Sequence, residues 1–220
     1  CGKACHHRTS QDKLSHTHHI SRTEDCCAEV GRAGSQEKEE EMKAEEDNPT
    51  HAIYRWTVLD TIALPVIFLS RIRHCAGYGV QSPTDYAFVR EVIYEHSDYS
   101  LYPELLAGSR KSAWMERKIA KLLLRISNYA QAESIATSGP ITPMMHRALR
   151  LGCRKSRIIP YVASAPPSPL IIIADIRKEG REEWKALLQR PNIIAYDLHY
   201  IGFAFHDAGR YGEAHIVNFY

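Results

Sequence analysis

Most of the sequence devices that announce a chemistry are missing from this chain, and each gap closes off a class of function. None of its 220 residues forms a Gly-rich phosphate loop, a His-x-x-x-His zinc helix or a Ser-centred nucleophile elbow. An excess of one charge is also lacking. Lys and Arg number 28 against 26 Asp and Glu, a net charge of +2. The cations are spread along the chain rather than gathered on one face, so nucleic acid is not implied as a partner. There is no regular cysteine spacing. Cys1, Cys5, Cys26, Cys27, Cys75 and Cys153 do not form a disulfide scaffold, and a reducing, cytoplasmic setting is the expectation. No apolar run reaches, without interruption, the roughly 20 residues of a spanning helix.

Large aliphatic residues are scarce across residues 1–50, which are rich in His, Ser, Thr and Glu. Such a stretch cannot bury enough apolar surface to offset the entropy of ordering it, so a disordered polar arm is expected there. Within it, Cys5-His6-His7, His16, His18, His19 and Cys26-Cys27 carry donor atoms suited to zinc or copper. Their spacing matches no closed site, and no metal ligands are assigned. The block Glu37-Lys38-Glu39-Glu40-Glu41, continuing to Glu45-Glu46-Asp47, is a solvated charge run that Asn48-Pro49 closes, marking a boundary.

The remainder divides into a helical cap over residues 51–130 and an α/β domain over 131–220. From Ala52 to Ser70 the chain is apolar, but Arg55 and Asp60 interrupt it and Pro65 would kink it. The reading is a docking helix or interfacial segment, with membrane contact through 52–70 the lesser alternative. Ser82, Pro83 and Asp85 spell a capping box with Pro at the first helical position, and Tyr86, Val89, Val92 and Ile93 follow as a stripe. Lys111 to Tyr129 is an amphipathic helix through Met115, Ile119, Leu122, Leu123 and Ile126. Beyond it, a strand around Ile135 runs into Thr137-Ser138-Gly139-Pro140. Thr142 as N-cap and Pro143 at the first position then open a helix that Gly152 can close. In open α/β folds ligands sit at such a strand-to-helix junction. An ordinary turn is the competing reading.

These motifs carry a resemblance. Arg71-Ile-Arg-His followed by Gly77-Tyr-Gly-Val-Gln-Ser-Pro and a helix resembles the N-terminal signature of a bacterial group of class I S-adenosylmethionine-dependent methyltransferase-like proteins. In that group a helix like 111–129 precedes the first strand. Leu170-Ile-Ile-Ile-Ala-Asp-Ile, a helix through Trp184, Leu187 and Leu188, then Asn192 to Phe205 and Ile216-Val-Asn-Phe are similar to the family's closing strand, helix, strand and hairpin. The match covers roughly residues 66–135 and 168–220. It implies an α/β fold, a reduced doubly wound, mostly parallel Rossmann-like sheet with a C-terminal antiparallel hairpin. It also implies S-adenosylmethionine as cofactor, a small-molecule substrate, Ala136, Thr137, Ser138 and Gly139 as the cofactor loop, and Asp175 at the reaction centre.

The middle departs from the family pattern. Where the family resembles Glu-Ile-Gly-Thr-Ser-x-Gly-x-Ser-Thr, this chain has Ser134-Ile-Ala-Thr-Ser-Gly-Pro-Ile-Thr-Pro143: the acid and both glycines are gone. Replacing Gly by Pro removes a donor and fixes φ. Arg157 to Val162 offers no acidic strand end for ribose hydroxyls. Parallel neighbours need a crossover of about a dozen residues, yet seven separate Val162 from Leu170. The family's third and fourth strand-helix units are therefore expected to be absent. Either Ile158 to Val162 is not a parallel strand, or the sheet closes around the gap, and both shrink the cofactor crevice. Asp175 is followed by Arg177-Lys178 instead of the family's aromatic and His, and it also reads as a carboxylate near a helix N-cap. His199 and His206 read as surface or packing residues, and Trp184 as core. Function is then methyl transfer to a small molecule with a degraded cofactor loop, or a non-catalytic binding or scaffold protein derived from that fold. A metal-responsive module using the Cys/His arm is a third reading.

Overall fold

A computed structural model describes residues 57–108 and 113–219, all within the unit Thr50–Tyr220. The disordered-arm expectation for residues 1–50, the Cys/His cluster, the acidic block and the start of the apolar run up to Trp56 lie outside the described residues.

Helix α1, Val58–Ser70, begins with a reciprocal cap: Thr57 Oγ1 accepts from the Asp60 amide and the Asp60 carboxylate accepts from the Thr57 amide at 2.8 Å. Asp60, an interruption when the run is scanned for a membrane span, thus closes the orphan donors of a helix start. Ala63, Leu64 and Ile67 are half-buried, Leu64 against the main core, while Val58, Leu59, Ile62, Val66 and Leu69 stand exposed. No helix among the described residues is long and apolar enough to cross a membrane.

A 3-10 segment, Ile72–Gly77, leads to α2, Pro83–Phe88, which widens into a π-turn over Val89–Ile93. Ser82 caps α2 through the Asp85 amide, as the sequence suggests, but the Asp85 side chain does not complete the box. It turns inward and is 3 % exposed. There it accepts from both terminal nitrogens of Arg210 (2.5 and 2.9 Å) and from the Tyr196 hydroxyl, and it lies 3.3 Å from His215 Nε2. Of the expected stripe, Val89, Val92 and Ile93 are buried, but Tyr86 is exposed and Phe88 takes its place in the core. After α3, Tyr102–Leu106, comes α4, Trp114–Ala130, whose Met115, Ile119, Leu122, Leu123 and Ile126 are buried as the periodicity requires. Arg125 of α4 is also buried and donates to the Val92 and Ile93 carbonyls and the Tyr102 hydroxyl, closing the end of the π-turn.

The α/β part runs β1 (Ser134–Ser138), α5 (Pro143–Gly152), β2 (Arg157–Pro160), β3 (Leu170–Ala174), α6 (Arg181–Leu188), β4 (Ile193–Asp197), β5 (Ile201–His206) and β6 (Glu213–Ile216). The six strands form one mixed sheet in the order β2-β1-β3-β5-β4-β6. Pairing is parallel for β1 with β2, β1 with β3 and β4 with β6, whereas β5 is antiparallel to both β3 and β4. The chain is thus α/β, mostly parallel, consistent with a Rossmann-like fold. The antiparallel strand expected after Tyr200 is present as β5, but its hairpin partner is β4, which precedes Tyr200, and not the terminal strand. The terminal segment starts three residues earlier than the sequence suggests and adds parallel to β4 at the sheet edge.

Ile158 does lie in a parallel strand despite the short link to β3. The nine residues 161–169 include Pro166, Pro167 and Pro169 and form no helix. At about 3.1 Å per residue such a segment reaches nearly 28 Å. That covers the return along a four-residue strand, about 13 Å, and the step across β1, about 10 Å. A proline-rich strap, turned once where the Ala165 amide donates to the Val162 carbonyl, replaces the crossover helix.

Side-chain alternation sorts the core onto two faces. Leu170, Ile172, Ile194, Tyr196 and Phe203 join α2, α4 and α5 on one face; Ala136, Ile171, Ile173, Ile193, Ala195 and Ala204 join Trp184 and Leu187 of α6 on the other. The second face is thin over β2, three of whose four residues are exposed.

Candidate functional site

Strands β1, β3 and β4 share one direction, so their C-terminal ends lie along one edge of the sheet. With β2 on one side of β1 and β3 on the other, the strand order reverses between β1 and β3, where open α/β sheets place ligands. The predicted loop and Asp175 meet there. Ala136 is buried beneath α6, Thr137 and Ser138 are half-buried, and Ser138 pairs with Ile173. Gly139, at φ +79°, folds over the end of β3. A Cβ added to Gly139 would overlap the Ala174 carbonyl oxygen and stand 3.1 Å from its carbon. From the other side Gly180, the residue that opens α6, meets the same carbonyl oxygen equally closely. Both glycines serve contact between loops, and the Ala174 carbonyl fills the space between them. The α5 N-terminus offers little to a ligand either: Pro143 has no N–H, and the Met145 N–H is taken by Thr142 Oγ1 at 3.2 Å.

Asp175 follows Ala174 directly. Its backbone is left-handed, φ +48°, and its carbonyl accepts from the Lys178 and Gly180 amides, a turn that aims Arg177 and α6 along the edge. One strand further on, the β4–β5 turn holds His199 at φ +77°. Left-handed backbone at non-glycine residues costs of the order of 1–3 kcal/mol each and is concentrated at functional sites.

Between these two turns opens a cleft of about 360 Å³ lined by Arg71, Ile176, Arg177, Arg181, Trp184, Lys185 and Asp197. Arg71, at the end of α1, donates to the Asp197 carboxylate at 2.7 Å and to the Asp197 carbonyl at 3.0 Å. The same carboxylate oxygen, Oδ1, also accepts from the His199 amide at 2.7 Å. Arg177 donates to His199 Nδ1 at 2.8 Å, which places the imidazole proton on Nε2. Burial, then the Arg177 and Arg71 guanidinia, push the His199 pKa down to about 4, so the ring is neutral at pH 7. Arg181 and Lys185 stand four residues apart on one face of α6, and Trp184 between them seats its ring against Gly202 of β5. The cleft therefore concentrates four cations around one carboxylate, against an apolar wall of Ile176 and Trp184.

Comparison with family models, curated proteins and solved structures finds no match.

The other cluster of ionisable groups is structural. Asp85, Glu213 and His215 bring ligand atoms within 4.8 Å of one another. The Asp85 carboxylate already takes both Arg210 nitrogens, however, and a guanidinium in contact with it opposes a metal cation there. The sequence singles out Asp175 and Gly139 as site residues; Arg71 enters within the Arg71-Ile-Arg-His motif and His199 as a surface or packing residue, while Arg181 and Lys185 do not stand out. The local signals for the cleft are the basic Arg71-Ile-Arg-His segment and Arg177-Lys178 after the strand end.

Proposed function

We propose that this chain is a small-molecule-binding protein built on a shortened methyltransferase-like sheet, in which the seat of the methyl donor is filled and ligand recognition lies in the basic cleft. Removing the third and fourth strands from the doubly wound order 3-2-1-4-5 would leave 2-1-5, the arrangement of β2, β1 and β3. The antiparallel β5 beyond β3 fits the terminal strand that the family resemblance implies.

The observation that carries the reading is the packing of Gly139 and Gly180 on the Ala174 carbonyl. S-adenosylmethionine would need that volume, the carboxylate that the family resemblance implies in place of Ser134 for its methionine part, and free amides in the loop. Instead Ser134 stands at the position of the acid, and Pro140 and Pro143 replace donors. The residues present do not fit the donor, so no methyl-transfer step is derived. Calorimetric titration of the full chain with S-adenosylmethionine tests this. The expected result is no saturable heat up to millimolar concentration, and micromolar affinity would restore the methyltransferase reading.

A further inference from the structure

We infer that the cleft formed by Arg71, Arg177, Arg181, Lys185, Ile176 and Trp184 is a binding site for a phosphoryl group carried on a small, partly apolar molecule. This inference rests on the reading above and names the ligand class that the cleft selects.

Charge is the first argument. Arg71 and Asp197 compensate each other at 2.7 Å, which leaves Arg177, Arg181 and Lys185 facing one opening. Arg177 is held by the neutral imidazole of His199, a contact that orients the guanidinium without cancelling its charge. Arg181 has no ion-pair partner among the described residues, and Lys185 shares an exposed pair with Glu182 at 2.9 Å, a contact a ligand can displace at little cost. Like charges four residues apart on a helix repel, and a cation in the first turn opposes the helix dipole. Glu182 and Glu183 already answer the dipole in that turn, so what an anion between Arg177, Arg181 and Lys185 relieves is the repulsion among the three cations. Two or more negative charges answer this excess better than one. Guanidinia grip phosphoryl oxygens in bidentate fashion, a geometry that an ammonium or an amide cannot reproduce.

Shape is the second argument. About 360 Å³ lies at the lower end of the range of small-molecule sites, enough for a phosphorylated metabolite and too small for a macromolecular segment. Ile176 and Trp184 line its floor beside the cations and are otherwise packed into the core, 4 % and 6 % exposed. Trp184 is fixed in place by Gly202, where any side chain would meet its ring within 2.6 Å. The cleft also sits along the edge where the C-terminal ends of β3 and β4 emerge, the position that α/β sheets use for ligands.

The test is calorimetric titration of the full chain, at fixed ionic strength, with inorganic pyrophosphate, inorganic phosphate and acetate, with S-adenosylmethionine as a separate arm. Saturable pyrophosphate binding that exceeds acetate binding is expected. It should weaken at least about tenfold, equivalent to 1.4 kcal/mol, in the double variant Arg181→Gln, Lys185→Gln. Both residues are exposed and leave the core untouched, so the thermal midpoint of that variant should stay within a degree or two of wild type. The variant Arg181→Lys should keep most of the affinity for phosphate but lose part of that for pyrophosphate. No saturable pyrophosphate binding, equal binding of acetate, or unchanged affinity in the double variant would overturn the site. S-adenosylmethionine binding that pyrophosphate does not displace would overturn the filled-seat reading and leave the cleft standing, so the two failures are distinguishable.

Discussion

Replacing Gly180 by Ala isolates the contact on which the closed β1–β3 junction depends. Gly180 has an ordinary negative φ of −84°, so alanine brings no backbone strain, only a methyl group driven into the Ala174 carbonyl and 2.6 Å from the Ile173 side chain. Overpacking of this kind costs about 1–3 kcal/mol. Gly139→Ala meets the same carbonyl and adds the left-handed strain of φ +79°, a further 1–2 kcal/mol or so. Gly79→Ala provides the control. Its φ is +91°, but nothing lies within 4 Å of the added carbon, so it carries the strain alone. At roughly 2–4 °C per kcal/mol for a unit of this size, Gly139→Ala should melt about 2–12 °C below Gly79→Ala. Because both substitutions displace one carbonyl, the Gly139→Ala, Gly180→Ala double variant should lose less than the sum of the single losses, with a coupling of about 0.5–3 kcal/mol. Calorimetric or circular-dichroism melts of the four variants settle the matter. Equal losses for Gly139→Ala and Gly79→Ala, with Gly180→Ala neutral, would mean that the loops do not meet and that the reasoning fails.

Two further perturbations probe the buried charges. Asp85→Asn leaves Arg210 without its carboxylate and should destabilise the protein toward the lower end of about 3–5 kcal/mol, since Arg210 keeps partial access to water; urea denaturation reads this, and a loss below about 1 kcal/mol would contradict it. Burial raises the Asp85 pKa, but hydrogen bonds from Arg210, Ser82 and Tyr196 outweigh it and hold the carboxyl below its usual value. Its contribution is therefore intact above about pH 4 and lost as pH falls through the lowered value. His199 acts over a higher window. Its imidazole faces Arg177 from the turn after β3 and Arg71 from the end of α1, with Asp197 and Asp60 opposing them, and its pKa falls from 6.5 to about 4. The unfolded chain then binds more protons, so folding stability contributed by the neutral ring is present above pH 6.5 and declines toward pH 4. Denaturation at pH 7.5 and pH 5 should show a smaller pH-dependent loss in His199→Gln than in wild type, and an identical loss would refute the assignment.

The elements were legible where one physical signal dominated. The periodicity of Met115, Ile119, Leu122, Leu123 and Ile126 gave α4, and the unbroken run from Leu170 gave a strand buried on both faces. The Thr142-Pro143 start gave α5. The Asp85 expectation failed through tertiary competition. Asp85 reads as a capping-box acid, but a guanidinium is a stronger partner for a buried carboxylate than a nearby amide, and Arg210 is 125 residues away. The short link before β3 left two alternatives, and the second holds: β2 is parallel and the sheet closes around the gap, because a proline-rich link without a helix is long enough to cross. The glycine of the β1 loop was visible in the sequence. Its use against Ala174 was not, because that contact joins segments about 35 residues apart. The cleft was hidden for the same reason: Arg71, Arg177 and Arg181 come from three elements, and no single stretch is strongly basic.

Amide NMR of the 15N-labelled full chain, titrated in parallel with pyrophosphate and S-adenosylmethionine, reports both loci in one spectrum. Gly139 and Gly180 mark the junction at the ends of β1 and β3, while the Trp184 indole and the Arg177, Arg181 and Lys185 amides mark the cleft. Pyrophosphate should shift the cleft signals saturably and leave Gly139 in place, and S-adenosylmethionine should move neither set. Saturable movement of Gly139 and Ser138 by S-adenosylmethionine would contradict the account.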